Sequence, residues 1–101
     1  MRNILRSIGV GAFCAVLSGA PMAGFAYTGQ ELASDARVSI EQARAIALKA
    51  APGEIADEEL ETEEGGSGLR YTFNIKRGTE MYEVGIDGQT GEVLENIVEG
   101  Q

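Results

Sequence analysis

Apolar and polar residues alternate with a period of two along two neighbouring runs in the second half of the chain. The apolar members are Leu69, Tyr71, Phe73 and Ile75 in the first run and Tyr82, Val84 and Ile86 in the second. Alternation of aromatic and β-branched residues is typical of strands that bury one face. A two-residue turn at Arg77 and Gly78 joins the runs into a predicted β-hairpin, in which every apolar residue faces another. The pairs predicted from this register are Leu69–Ile86, Tyr71–Val84 and Phe73–Tyr82.

A helix is predicted ahead of the hairpin, from Ser39 to Ala51. Ser39 and Gln42 form an S-x-x-Q capping box that starts a helix, and Pro52 ends it because proline cannot continue the hydrogen-bond ladder. Apolar residues recur with helical spacing on one side, at Ile40, Ala43, Ile46, Ala47 and Ala50. Because this stripe is narrow and rich in alanine, we expect it to pack on the sheet rather than to bind a partner.

Seven acidic residues occupy the eleven positions from Glu54 to Glu64. We expect an edge strand here, because dense like charge opposes edge-to-edge pairing with another chain. The alternation is imperfect. If Leu60 points into the core then Glu58 does too, so either the strand begins late or a bulge resets it. A divalent-cation site is the alternative, but carboxylates spread along a strand do not converge on one point as calcium requires.

The stretch from Asp87 to Gly91 predicts a turn in which the aspartate accepts hydrogen bonds from nearby backbone. A fourth strand follows from Glu92, with either Val93 or Leu94 covering the core, and a bulge at Gly91 could settle which. The predicted fold class is therefore α+β, with one N-terminal helix packed on a three- to four-stranded antiparallel meander sheet. The predicted core residues are Ile40, Ala43, Ile46, Ala47, Ala50, Leu60, Tyr71, Phe73, Ile75, Tyr82, Val84 and Ile86.

Residues 1–26 have the zones of a secretory signal: two arginines, an uncharged apolar stretch and a small-residue site ending at Ala26. We therefore expect a periplasmic or secreted protein that meets the membrane only transiently, through this signal. An uncleaved anchor is the alternative, although its glycines and proline make a poor helix. Lipoprotein processing at Cys14 is disfavoured because the bulky Phe13 precedes it. Residues 27–37 are polar and aperiodic, and we interpret them as a flexible lead.

Charge and composition exclude several classes of function. The chain has 16 acidic and 8 basic residues and no histidine. Cleavage after Ala26 would leave 75 residues with 16 acidic and 6 basic side chains, a net charge of −10, and no cysteine. So negative a chain excludes a nucleic acid partner. Without histidine or cysteine no nucleophile and base can be assembled, so we expect no enzyme, no cofactor and no metal centre.

Several stretches, in this order and spacing, resemble the PepSY family. They are the helix from Val38 to Leu48 with Pro52-Gly53, the strands Tyr71-x-Phe73-x-Ile75 and Tyr82-x-Val84-x-Ile86, and the closing Asp87-x-x-Thr90-Gly91-Glu92-Val93-Leu94. The resemblance covers residues 38–95, and we place the domain at 38–98. PepSY domains occur in propeptides of thermolysin-like proteases and in small secreted or membrane-linked bacterial proteins. The resemblance implies a role in binding a protease or other partner, often as an inhibitor, and it supplies no catalytic residues.

Our leading hypothesis is a monomeric, non-catalytic binding module outside the cytoplasm. It modulates or inhibits a protease or another envelope protein in trans, because no protease accompanies it in the sequence. Two other hypotheses stay open. One is an acidic, cation-associated or envelope accessory protein without inhibitory activity, and the other is a structural interaction domain of a membrane complex.

A partner surface is predicted on the sheet face that the single helix leaves uncovered. Its members are the polar positions of the hairpin together with a methionine, namely Arg70, Thr72, Asn74, Met81 and Glu83. In the predicted register Asn74 pairs with Met81, Thr72 with Glu83, and Arg70 with Gly85. A flexible methionine beside a glycine offers a shallow, adaptable contact for a protein partner.

The signal pattern predicts that the mature protein begins at Tyr27. Intact-mass measurement of the protein purified from its native envelope should give the mass of residues 27–101. A mass that includes Met1 would contradict this cleavage site and favour the anchor.

Overall fold

The computed structural model describes residues 26–100, so apart from Ala26 the predicted signal lies outside the described residues. These residues form a 3-10 helix, Gln30–Asp35, then one α-helix, α1 (Ile40–Ala50), and four strands. The strands are β1 (Glu54–Thr62), β2 (Leu69–Arg77), β3 (Glu80–Asp87) and β4 (Val93–Val98). They pair antiparallel in the order β1-β2-β3-β4, with α1 packed on one face. The predicted α+β fold, a helix on an antiparallel meander, is confirmed, with four strands.

Helix α1 begins where its capping box predicts. The Ser39 hydroxyl accepts a hydrogen bond from the Gln42 N–H at 3.1 Å, and the Gln42 side chain accepts one from the Ser39 N–H at 2.9 Å. The two bonds satisfy backbone donors that have no partner within the helix. Ala43 and Ala47 are fully buried, so the alanine stripe brings the helix backbone close to the sheet.

The hairpin register differs from the prediction by two residues. Tyr71 pairs with Ile86, Phe73 with Val84 and Ile75 with Tyr82, and the loop residues are Gly78 and Thr79 rather than Arg77 and Gly78. Gly78 has φ +66°, a conformation that glycine adopts without strain, so the turn places it first in the loop. Because side chains alternate with a period of two, a two-residue shift changes every pair but keeps each residue on its predicted face.

The acidic strand carries a β-bulge, but the bulge does not turn Glu58 away from the core side. The β1–β2 register shifts between Ile55 and Asp57, which leaves Ala56 as the extra residue. Of the two alternatives, the strand therefore carries a bulge and begins at Glu54. Beyond it Leu60 is buried opposite Tyr71, and Glu58 lies on the same, helix-facing side opposite Phe73.

The last strand also has an irregularity, which involves the two residues predicted as alternatives for covering the core, Val93 and Leu94. Ile86 pairs with Val93 and Gly85 with Glu95, so Leu94 is the extra residue. Val93 is 42% exposed and Leu94 is half-buried. Neither side chain closes the core completely, and the bulge lies at Leu94 rather than at Gly91.

The segment expected to be a flexible lead has regular structure and packs on the domain. The backbone oxygen of Thr28 accepts a hydrogen bond from the Leu60 N–H at 2.8 Å, and residues of the 3-10 helix contact β1. Tyr27 and Leu32 pack against the core. The division of the chain at residues 26 and 38 stays a prediction.

The core lies between α1 and the inner face of the sheet. Eight of the twelve predicted core residues are buried, and Ile40, Ile46, Ala50 and Tyr82 are partly buried against them. Ala51 and Leu69 complete the core. The Tyr71 and Phe73 rings stack 6.3 Å apart at its centre, and the Tyr71 hydroxyl donates a hydrogen bond to the Val38 backbone oxygen at 2.6 Å.

Replacing Phe73 by alanine should be among the most destabilising single changes. Phe73 has no exposed surface, so the substitution removes a buried ring and leaves a cavity, at a cost of about 3–5 kcal/mol. Thermal unfolding followed by circular dichroism would measure the loss, with the exposed Thr79→Ala as control. A melting temperature within a few degrees of the wild type would contradict the assignment of this face to the core.

Candidate functional site

The five residues of the predicted partner surface lie together on one face of the sheet. We call the side opposite α1 the outer face. The observed pairs across it are Thr72–Gly85, Asn74–Glu83 and Lys76–Met81, and Arg70 pairs with Asp87, so all three predicted pairings are replaced. Thr72 is buried among its neighbours, and Arg70, Asn74, Met81 and Glu83 are half-buried. The two-residue shift moves the pairs but leaves all five residues on the predicted face.

Arg70 lies flat across the outer face. Its guanidinium is 3.3 Å from Glu63 and 3.7 Å from Glu95, and it donates to the Glu64 backbone oxygen at 3.1 Å. The arginine reaches β4 because Gly85 has no side chain. A Cβ built at Gly85 would lie 3.1 Å from Arg70 Cδ and 3.3 Å from Glu95 Cβ. Because Gly85 has no side chain, the Arg70 guanidinium can lie between Glu63, near the β1 edge, and Glu95, in β4.

Strand β4 adds a residue that sequence reasoning missed. Ile97 pairs with Glu83 on the outer face and is 49% exposed. Met81 is opposite Glu99, so Met81 and Ile97 are diagonal neighbours across the β3–β4 ladder, and we call these two residues the Met81–Ile97 patch. The sequence offered a weak signal, since Ile97 follows an ambiguous start of the last strand, and one residue of slip would put it on the opposite face.

Carboxylates surround the Met81–Ile97 patch. Burial raises the pKa of Glu83, and the negative charges of Glu95 and Glu99 raise it further. Glu95 and Glu99 come close to Glu83 because they lie two positions before and two positions after Ile97, which is opposite Glu83 on the same face. The outer face therefore combines an apolar contact with a strongly negative potential.

A second candidate site is an open cleft of about 810 Å³ between the N-terminal segment, α1 and β1. Its lining includes Tyr27, Leu48 and Ile55 together with an ion pair. Arg44 Nε lies 2.6 Å from one Glu58 oxygen and Arg44 Nη2 lies 2.8 Å from the other. Both side chains are less than one-fifth exposed. The paired arrangement explains how Glu58 can face the helix side, and it leaves the cleft apolar with a neutralised rim.

The PepSY family model, described as "Peptidase propeptide and YPEB domain", matches residues 37–96, more than half of the chain. The chain belongs to the PepSY family. PepSY domains are protease-propeptide or inhibitor-like modules and are generally non-catalytic. No curated protein and no solved structure matches the chain significantly.

The closing signature of this PepSY domain is built around a buried carboxylate, that of Asp87. One of its oxygens accepts hydrogen bonds from the Ser67 hydroxyl and the N–H groups of Gln89 and Thr90, at 2.8–3.1 Å. The other accepts from the Ser67 N–H at 2.7 Å. Burial by itself raises the pKa of Asp87, but these donors, led by Gln89 and Ser67, outweigh it and lower the pKa to about 2. The signature aspartate thus has a structural role within the PepSY fold.

Residues 26–100 of the PepSY domain contain no group of three or more histidine, cysteine, aspartate or glutamate side chains that could hold a metal ion. None of the helices in this part of the chain is long and apolar enough to cross a membrane.

Replacing Asp87 by asparagine should destabilise the PepSY domain by about 2–4 kcal/mol at neutral pH. The amide cannot accept from all four donors, and each buried donor without an acceptor costs about 1–3 kcal/mol. A carboxylate with a depressed pKa stabilises the fold above the pKa of the unfolded chain and loses this effect as pH falls towards 2. The difference in stability between wild type and Asp87→Asn should therefore shrink between about pH 4 and pH 2. Chemical denaturation at several pH values measures it, and a constant difference would contradict the role of the charge.

Proposed function

We propose that this PepSY domain is a non-catalytic module that binds a protein partner through its outer face outside the cytoplasm. Through this contact it modulates a protease or another envelope protein in trans. Family membership supports the class of function, because PepSY domains are propeptide or inhibitor-like modules. The signal-like N-terminus supports a periplasmic or secreted location.

The observation that carries the proposal is the Met81–Ile97 patch on the uncovered face of the sheet, in which Ile97 is 49% exposed and Met81 is half-buried. Helix α1 buries the inner face and leaves the outer face open. Binding energy usually concentrates in a few apolar or aromatic anchors inside a polar rim. Met81 and Ile97 supply such anchors, and Asn74, Glu83 and Glu95 supply the rim.

Charge favours a basic partner. Residues 27–101 carry ten more acidic than basic side chains, and the outer face holds several of these carboxylates close together. A field of this sign speeds the approach of a positively charged protein surface and repels acidic ones. Added salt should screen this attraction and slow association.

An enzymatic role has no support in the chemistry of the chain. Histidine is absent from the whole sequence, and the single cysteine, Cys14, belongs to the signal-like segment. The most buried carboxylate, Asp87, is held ionised by four hydrogen-bond donors. In the cleft, Arg44 and Glu58 already neutralise each other.

Replacing both Met81 and Ile97 by glutamine should weaken partner capture roughly tenfold while shifting the melting temperature by only a few degrees. Glutamine is used because a lysine at Met81 would face Lys76 across the hairpin. Envelope proteins captured by the immobilised domain would be identified by mass spectrometry and their affinities measured in purified form. Leu48→Gln, which alters the cleft instead, is the matched control. Unchanged capture by the double variant, with loss in Leu48→Gln, would move the binding site to the cleft.

A further inference from the structure

The two edges of the sheet differ in how their backbone groups are satisfied. In β1, the N–H groups that point away from the sheet at Glu58 and Leu60 both have acceptors within the chain. The Glu58 N–H donates to the Asp57 carboxylate at 3.0 Å, and the Leu60 N–H donates to the Thr28 backbone oxygen at 2.8 Å. With the bulge at Ala56, this edge is closed to another strand over residues 56–60.

Strand β4 forms the other edge, and its outward groups are open. The Glu99 N–H donates to the Met81 oxygen at 2.8 Å, which fixes the alternation of the ladder. Ile97 and Glu95 therefore direct their backbone groups towards β3, and Asn96 and Val98 direct theirs away from the sheet. Within residues 26–100, the outward N–H groups of Asn96 and Val98 have no acceptor.

The side chains beside this open edge form a simple pattern on the outer face. Glu95, Ile97 and Glu99 occur at alternate positions, so an acidic, an apolar and an acidic side chain follow one another along the same side. A strand added next to β4 would place its own alternate residues opposite these three. The best complement is a basic, an apolar and a basic residue, each separated by one position.

We propose that the β4 edge receives an extended segment of a protein partner with the pattern basic-x-apolar-x-basic, which joins the sheet as a fifth strand. This inference rests on the proposed function and names the partner class of the same face. The added backbone would satisfy the outward groups of Asn96 and Val98, and its apolar residue would extend the Met81–Ile97 patch. Its basic residues would neutralise the carboxylates of Glu83, Glu95 and Glu99. The pattern reads the same in both directions, so it fits a parallel or an antiparallel strand.

A second copy of this chain fits the edge poorly. Antiparallel pairing of β4 with β4 of another copy keeps the two outer faces on one side and brings Glu95 and Glu99 of both copies together there. Each copy also carries the same strong negative net charge. Like charges opposite one another destabilise a pair of strands, so charge selects a basic partner over self-association.

Synthetic peptides test the pattern directly. The probe is Ser-Lys-Thr-Ile-Thr-Lys-Ser with blocked ends, titrated into the isotope-labelled full-length mature protein and followed by NMR. A peptide of identical composition, Ser-Thr-Lys-Ile-Lys-Thr-Ser, puts the lysines on the face opposite the isoleucine and is the matched control. We expect saturable shifts centred on β4, slower hydrogen exchange at the Asn96 and Val98 N–H groups, and at least fivefold weaker binding of the control. Equal affinity of the two peptides, or no binding by the probe, would overturn the proposal.

A pair of variants tests the edge itself. Asn96→Pro removes an outward N–H and leaves the ladder to β3 intact, whereas Asn96→Ala keeps that N–H. Both variants lose the hydrogen bond of 3.3 Å from the Asn96 side chain to the Ala50 oxygen, so they share any loss of stability from that contact. Asn96→Pro should weaken probe binding roughly tenfold relative to Asn96→Ala, with similar melting temperatures. Equal binding by the two variants would overturn the edge proposal.

Failure of this inference is distinguishable from failure of the proposed function. If envelope proteins are captured in a manner that depends on Met81 and Ile97, but Asn96→Pro captures them as well as Asn96→Ala, then the outer face binds and the edge does not. Concentration-dependent dimers in sedimentation, lost in Asn96→Pro, would replace the basic partner by a second copy and overturn the proposal. Loss of capture in Asn96→Pro, with capture kept in Asn96→Ala, supports the edge proposal.

Discussion

The fold depends on a single buried carboxylate, that of Asp87, which holds together parts of the chain that do not otherwise pair. It accepts hydrogen bonds from Ser67, in the glycine-rich connection before β2, and from Gln89 and Thr90, in the turn before β4. The next residue extends the junction, because the Gly88 oxygen accepts the N–H groups of Arg37 and Val38 just before α1. The Gln89 side chain also donates to the Asp35 oxygen. Asp87 and the two residues after it therefore link the segment before the helix to the connections before β2 and β4, in a domain too small to rely on its apolar core alone.

The two faces of the sheet differ because the one helix, α1, covers only the inner face. The inner face carries the apolar core, so its buried residues are constrained by volume and shape. The outer face is held by Arg70, which spans from β2 to β4 over Gly85 and keeps the surrounding carboxylates apart. The other positions of that face are not required by the core. A family with this architecture can change what it binds without changing how it folds.

Sequence patterns predicted the elements and their faces well, because both depend on periodicity. The capping box placed the start of α1, and alternation placed Phe73 inside and Met81 outside. The turn was displaced by one residue, which shifts the pairing by two. Periodicity could not separate the two registers because both keep the same faces. The bulges at Ala56 and Leu94 depend on pairing with a neighbouring strand, so each stayed ambiguous in the sequence.

The features hardest to predict were those that join distant parts of the chain. Arg44 and Glu58 form their ion pair only when α1 packs on the sheet, and the cleft beside them needs the segment around Tyr27 as a wall. Polar composition alone indicated a flexible segment there, although hydrogen bonds from Leu60 to Thr28 and from Gln89 to Asp35, together with the apolar side chains of Tyr27 and Leu32, hold it in place. Ile97 was missed for a related reason, since its face depends on the bulge three residues earlier.

The bond between Thr28 and Leu60 has a consequence for stoichiometry. A sheet with two open edges can take up strands at both ends and so propagate from molecule to molecule into a fibre. With the β1 edge occupied by the chain's own N-terminal segment, strand addition has only one direction in which to proceed. Growth by this route stops after a single addition, so a complex formed in this way contains one partner for each domain.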